Sequence, residues 1–338
     1  MFDADVFVIG GGPAGLAAAI ASRQRGMRVI VADGNKPPID KACGEGLMPD
    51  SRRAADAIGI RLPESLGFEF RGIRFHGAGK QVQADFPHGR GVGVRRTVLH
   101  QILVETAGRA GVDLRWNTPV SRIEDIRARW IVGADGAASR VRNQAGLEAS
   151  VWTSRRFASR RHFAIAPWTD SMEIYWGERC QIYVTPVAQD EVCIALISRE
   201  PGLKLKDAVD RHFPVLRDRL AGVAATTTER GAATVSRRLR HVARGNVALI
   251  GDASGSVDAI TGEGICLSFR EAALLAEAIA AGDLAEYNGA HPRLARKAHV
   301  MARTMLVLDS GVAARRLGLS VMQAQPWIFR RLLAAHVA

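Results

Sequence analysis

The chain opens on a short apolar run, Val6 to Ile9, that passes at once into glycines at 10, 11, 12 and 15. The residues after them, Leu16 to Arg25, follow a helical pattern. A second apolar run, Arg28 to Ala32, ends at Asp33, so the spacing predicts a βαβ start. Two later apolar runs also end in glycine turns. Trp130–Ile131–Val132 precedes Gly133-Ala-Asp-Gly136, and Asn246 to Ile250 precedes Gly251-Asp252. The last leads into a long predicted helix, Gly264 to Ala281.

Between these units the pattern changes. Residues 34–52 read as a glycine- and proline-punctuated loop, 52–60 as a short helix, and Phe68 to Val94 as strands with turns. Leu99, Ile102, Leu103 and Ala107 share one face of a helix over 96–110. Asp113 to Trp116 and Val120 to Ile123 read as strands. Residues 150–240 are sheet-rich, with strands at Glu173 to Trp176, Gln181 to Thr185 and Val192 to Ile197, then a helix from Leu205 to Leu220. The tail from His291 is helical, and no internal repeat is present. The pattern predicts an α/β fold. A discontinuous nucleotide-binding domain takes residues 1–70, 95–148 and 241–290, a sheet-rich substrate domain takes 71–94 and 149–240, and a helical tail takes 291–338.

A length of 338 residues suits about two domains, and 47% hydrophobic content suits a globular chain. With a strand beginning by residue 5, no signal peptide is expected, and no apolar run reaches the roughly 18 residues of a membrane span. The four cysteines form no C-x-x-C pair and no zinc spacing, so a reducing cytoplasm is the expected location. The net charge of +12 comes mostly from dispersed arginines, with only six lysines. No nucleic-acid motif accompanies it; a solvated basic surface, an anionic membrane surface or an acidic substrate remain as explanations.

Gly10, Gly12 and Gly15 form G-x-G-x-x-G between a strand and a helix, with Pro13 and Ala14 inside it. One glycine makes the turn, the next lets the backbone approach a pyrophosphate, and the third lets helix and sheet pack closely. The helix N-terminus then faces the phosphates with free N–H groups. Asp33, 18 residues beyond Gly15, is placed to accept hydrogen bonds from an adenosine ribose.

The Gly133–Arg142 segment resembles the "DG" motif, and Gly251-Asp252-Ala-Ser-Gly255 with Thr261-Gly-Glu-Gly-Ile265 resembles the "GD" motif, of the para-hydroxybenzoate hydroxylase superfamily. The wording of the second motif, with Cys43-Gly44-Glu45-Gly46, looks most like the geranylgeranyl reductase branch. Where that family has a proline before Thr-Gly-Glu-Gly, this chain has Ala259. The resemblance implies a Rossmann-like FAD-binding domain of the hydroxylase type with an inserted sheet-rich domain and C-terminal helices. It implies FAD held by Gly10, Gly12, Pro13, Ala14, Gly15, Asp33, Arg96, Asp135, Gly251, Asp252, Gly262, Gly264 and Ile265. No second G-x-G-x-x-G follows a strand, so NADPH or NADH is expected to dock transiently as reductant, unless another donor serves.

Cys43 is the candidate catalytic side chain implied by the resemblance. It reads either as a proton donor on the substrate side of the flavin, its pKa lowered by Lys41, or as a small filler in a tight loop. Gly44, Glu45, Tyr175, Tyr183 and Ala259 are candidate pocket residues. Glu45 and Glu263 read as exposed loop glutamates or as acids near the ring. Tyr175, Trp176 and Tyr183 read as core or as a roof over the substrate, and no partner for His162 or His212 is visible in the sequence. The tail sets apolar positions such as Leu317 and Val321 among Arg315, Arg316, Arg330 and Arg331. It reads as a packed helix or as a basic amphipathic contact with an anionic membrane. The expected activity is hydride transfer from reduced FAD to a double bond of a small apolar substrate. The alternatives are a flavin monooxygenase acting on an apolar or aromatic compound, and a flavin-binding protein without turnover.

Overall fold

The computed structural model describes residues 2–337, with the backbone alone described at 152 and 153. A six-stranded sheet runs in the order Ala243–Arg244, Val247–Leu249, Ala128–Gly133, Ala4–Ile9, Val29–Ala32, Asp113–Arg115. All neighbours are parallel except the first pair. The three glycine-ended runs therefore lie side by side: Ile9 pairs with both Ala32 and Gly133, and Gly133 pairs with Leu249. Their C-terminal ends open on one edge of the sheet, where ligands of open α/β sheets bind.

Two helices from distant parts of the chain cover this sheet together. Helix Pro13–Gln24 begins with proline at its first position, where the missing N–H costs no helical bond. It buries Leu16, Ala17, Ala18, Ala19 and Ile20, and it packs on helix Gly264–Ala281 and on helix Arg96–Arg109. The run of alanines lets these helices approach closely. Gly282 ends the long helix in the left-handed conformation, at φ 77°.

An eight-stranded sheet forms the second layer. Its order is Gly255–Ser256, Arg230–Leu239, Ser150–Phe163, Glu191–Ser198, Cys180–Ala188, Ser171–Trp176, Gly72–Gly77, Lys80–Asp85. A small antiparallel sheet of Gly46–Leu47, Gly91–Gly93 and Phe68–Phe70 completes the strands. The central strands of the large sheet are buried on both faces. One face carries Ile182, Val184, Ile194 and Tyr175 against Leu205, Val209, Phe213 and Leu216. The other carries Trp176, Tyr183, Ala195 and Ile197 in one core with Met305, Leu319, Phe329 and Leu333 of the tail.

Several predicted elements differ. The single helix expected over Leu205 to Leu220 is two, Leu205–His212 and Pro214–Leu220, because Pro214 has no N–H to continue the first. The short helix lies at Pro49–Asp56 rather than 52–60, started by Pro49. Val120 to Ile123 forms no strand; the segment ends in a 3₁₀ turn, Ile123–Asp125, beside the acids Glu124 and Asp125. The tail is helical as expected, but its start at 291 falls inside helix Leu284–Leu294; beyond that come Arg296–Asp309, Val312–Ala324 and Pro326–His336, of which the latter two pack on the Lys80–Asp85 strand.

Candidate active site

A cavity of about 1310 Å³ is lined from both sheets. Sites for one drug-sized ligand run to roughly 300–1,000 Å³, so this one has room for a dinucleotide and a second molecule. Gly10, Gly12, Pro13, Ala14, Asp33, Arg96, Asp135, Gly251, Asp252, Gly262, Gly264 and Ile265 all border it. Gly15 does not: it lies against the carbonyl of Gly10, where a Cβ would come within 1.9 Å of the oxygen. Gly12 faces open space, with nothing within 4 Å of an added Cβ.

The acids in the turns have distinct tasks. Asp33 accepts hydrogen bonds from the N–H groups of Gly11 (2.7 Å) and Asn35 (2.8 Å), which ties the end of the second strand to the glycine turn. Asp135 is engaged by helix Arg140–Gln144, accepting from the N–H groups of Arg140 and Val141 and from the Ser139 hydroxyl. These bonds satisfy free N–H groups in the first turn of a helix whose N-cap is Ser139, so Asp135 has a structural task besides its place at the cavity. Asp252 pairs with Lys41 at 2.8 Å, and both are half exposed. Lys41 therefore answers to Asp252, and the expected pairing with Cys43 is not made.

Two residues with no recognised role in the motifs hold the turns. Glu271, two helical turns beyond Gly264, is buried and accepts from the Gly251 N–H at 2.7 Å. Its spacing on the helix face was the signal available. His100 is fully buried; Ile39 N–H donates to its Nδ1, leaving Nε2–H to donate to the Gly11 carbonyl at 2.8 Å. Burial lowers its pKa, so the imidazole stays neutral in this role.

The cysteine loop is anchored by the second sheet. Glu45 is 2% exposed, not an exposed loop glutamate. Its backbone sits at φ 59°, a left-handed conformation that costs a non-glycine residue about 1 kcal/mol or more. Four contacts hold it there. Its carbonyl accepts from Val94 N–H (2.9 Å) and its carboxylate from Arg96 N–H (2.9 Å). His162 Nε2 lies 2.6 Å and Arg160 Nε 3.4 Å from the same carboxylate. His162 thus has a partner that lies 117 residues away in the sequence. Beside them, Thr185 donates to the Gly44 carbonyl at 2.7 Å. Burial holds the Cys193 thiol well above its ordinary pKa, so it packs as a neutral group next to Glu45. These contacts bring Cys43, Gly44 and Glu45 to the cavity wall.

The two candidate tyrosines separate. Tyr183 borders the cavity, and its hydroxyl donates to the Ile260 carbonyl at 2.7 Å. Tyr175 is on the other face of the sheet, in the core of Phe213 and Leu216; it stacks on His76 and donates to Glu173. It is not a pocket residue, and neither is Trp176, which packs on Phe75. Ala259 borders the cavity from the Ala259–Thr261 turn. Ser159, unmarked in the sequence, also borders it, with its Oγ buried and unpartnered.

Glu263, at the start of helix Gly264–Ala281, is 6% exposed rather than an open loop residue. Its Oε2 and Nδ1 of His336 lie 3.4 Å apart without a hydrogen bond. Burial, reinforced by the charge of Asp50, pushes the carboxyl up to about 8, while burial lowers the His336 pKa. The contact is between two neutral groups. A carboxyl raised from 4.5 to about 8 binds its proton longer in the folded state, so stability falls as pH rises through that window. Glu263→Gln is therefore expected to raise the thermal midpoint relative to wild type at pH 9 and to leave it unchanged at pH 4. Thermal unfolding across that range measures this, and an equal effect at both ends would refute it.

The residues fit FAD. Arg96 borders the cavity with its Nε buried and unpartnered, a cationic donor beside the glycine turn. The helix N-terminus behind Gly12 and the three strand ends would supply the remaining cradle. In agreement, residues 119–290, just over half the chain, match the FAD binding domain family, and 5–58 match a second family described in the same words. The chain belongs to the FAD binding domain family, and it is an FAD-dependent oxidoreductase. It is 27% identical over 332 residues to a menaquinone reductase of Mycolicibacterium smegmatis, covering 86% of this chain and 80% of that protein. It is 26% identical over 300 residues to a digeranylgeranylglycerophospholipid reductase of Thermoplasma volcanium, covering 77% and 74%. In fold it is similar to a triple mutant of the flavin-dependent brominase Bmp2, with a TM-score of 0.83, 17% identity, and coverage of 99% and 95%. The resemblance to the hydroxylase superfamily and its geranylgeranyl reductase-like members therefore stands.

Proposed function

We propose that this oxidoreductase adds hydrogen across a carbon–carbon double bond of an apolar, isoprenoid-like substrate. The observation that carries the reading is the wall of the cavity away from the glycine turns. It is built from Met48, Met172, Ala195, Ile197, Ala302 and Leu306, with Tyr183 and Ala259 beside them. Such a wall gains free energy by covering a hydrocarbon chain, while Arg296 and Arg303 border the same cavity and can meet a polar or anionic end of the substrate. The likeness to two proteins named as reductases supports the same reaction class.

FAD, when bound, supplies the hydride. The Cys43 thiol gives a proton to the carbon that does not receive the hydride, so the π bond is replaced by two C–H bonds. The thiolate left behind regains its proton from water. The Ser159 hydroxyl has no protein partner and is free to hold a carbonyl or hydroxyl of the substrate. NADPH or NADH, docking transiently, is the proposed reductant.

Anaerobic turnover with NADPH or NADH and an unsaturated isoprenoid quinone tests this reading. The expected product is heavier by one equivalent of H₂. A product that forms only under oxygen and contains labelled oxygen would replace reduction with oxygenation. Cys43→Ala is expected to retain FAD and KM while losing about 10²-fold in kcat. Unchanged kcat would return Cys43 to a packing role.

A further inference from the structure

We propose that the outward face of the three C-terminal helices docks on an anionic lipid bilayer. Ten large apolar side chains are exposed among the described residues. Four of them, Phe2, Val98, Val151 and Val215, are scattered in sequence, as on most protein surfaces. The other six, Val300, Val307, Val312, Leu317, Val321 and Trp327, fall on these three helices.

Each helix buries one stripe in the common core, through Met305 and Leu308, through Leu319 and Met322, and through Phe329 and Leu333. Each leaves another stripe exposed. Val300, Arg303 and Val307 follow helical spacing, as do Ala313, Leu317 and Val321, and as do Trp327, Arg330 and Arg331. Tryptophan beside arginine suits the boundary between headgroups and acyl chains.

Charge selects the partner. Arg296, Lys297, Arg303, Arg316, Arg330 and Arg331 are exposed on these helices. Asp309 is their sole acid among the described residues, and it is buried against Arg156 and Arg199. The face therefore presents cations and apolar groups and no anion. Two copies of it repel, whereas an anionic membrane attracts it. No helix among the described residues is long and apolar enough to cross a membrane, so the contact is peripheral.

The face is continuous with the active-site cavity. Arg296, Val300, Arg303 and Leu306 belong to the cavity lining as well as to the first of these helices. A docked protein would hold the cavity mouth at the lipid surface, so an apolar substrate enters without crossing water. That delivery rests on the proposed reduction; the docking itself does not.

Co-sedimentation of the FAD-loaded full chain with vesicles, without substrate, tests it. Binding is expected to phosphatidylcholine vesicles containing phosphatidylglycerol and to be far weaker to phosphatidylcholine alone. Each arginine near an anionic surface contributes about fivefold to partitioning, so Arg330→Gln with Arg331→Gln is expected to lower it about 30-fold. Brominated lipid is expected to quench fluorescence in the wild type more than in Trp327→Phe. Both variants are expected to keep the wild-type FAD content and thermal midpoint. Equal binding to both vesicle types, or no loss in the double arginine variant, would overturn the proposal. So would a solution dimer that Leu317→Glu dissociates, since that would assign the face to a second copy.

Discussion

Gly15→Ala is expected to leave the protein without FAD and with a weakened fold. The added methyl would lie 1.9 Å from the Gly10 carbonyl oxygen and 3.1 Å from Cβ of Ala134. Neither neighbour yields easily. Gly10 is itself at φ 112°, and a Cβ there would meet the Ala134 backbone at 2.4 Å. The first helix must therefore move off the sheet, which costs on the order of 1–3 kcal/mol and displaces the helix N-terminus that would face the phosphates of FAD. FAD affinity is expected to fall at least about 10²-fold, or about 2.7 kcal/mol.

Gly12→Ala separates the two effects. At φ −73° alanine is accommodated, and nothing lies within 4 Å of its Cβ. The apoprotein is expected to melt like wild type, yet the methyl stands where a pyrophosphate approaches. Flavin absorbance per chain and the apoprotein melting midpoint give both readouts. Wild-type flavin content in Gly15→Ala would contradict the placement of the cofactor.

Arg156→Met is expected to produce the largest loss of stability among single substitutions outside the glycine turns. Arg156 is buried, with Nε 3.2 Å from Asp258, Nη2 2.9 Å from Asp309, and Nη1 donating to Gln181 at 2.9 Å. Removing it leaves Asp258 buried with no cation and Asp309 with Arg199 alone. Breaking a buried pair in this way costs about 3–5 kcal/mol, because one charge stays desolvated without its partner. The expected fall in melting midpoint is on the order of 10 °C.

The effect should reach the cavity. Asp258 accepts from the Ile260 N–H at 3.1 Å and so shapes the turn that carries Ala259. A higher KM for an apolar substrate is the expected functional sign. Because the network is buried, added salt should change the loss little. Arg25→Ala breaks a half-exposed pair with Glu277 and is expected to shift stability by less than about 1 kcal/mol. A comparable, salt-sensitive effect of the two substitutions would refute the account.

The glycine turn, the three strand ends and the cofactor class were legible in the sequence because each depends on local sterics. A chain that must turn sharply after a strand, admit a phosphate and pack a helix close has few residues to choose from. The motif order therefore reads directly along the chain. Pro214 was equally legible as a helix break, yet an apolar periodicity running through it outweighed that signal.

The second half of the site was not legible. Alternation along Ser171–Trp176 and Cys180–Ala188 puts Tyr175 and Tyr183 on definite faces, but both faces of those strands are buried. Which face meets the cavity is decided by what packs on each, helix Leu205–His212 and its neighbour or the C-terminal tail. Glu45 and Glu263 look like solvent-facing loop residues because the partners of Glu45, His162 and Arg160, and the His336 ring that covers Glu263 lie far along the chain. Desolvation of a carboxylate is tolerated only where such partners, or a retained proton, compensate it.

By itself the sequence determined a flavin-binding α/β fold and the glycine turns at its strand ends, since these follow from backbone geometry within a few residues. Only the tertiary structure decided which side chains border the cavity, how the cysteine loop is fixed and which of the C-terminal arginines are exposed. Those depend on burial and charge pairing between segments brought together by packing.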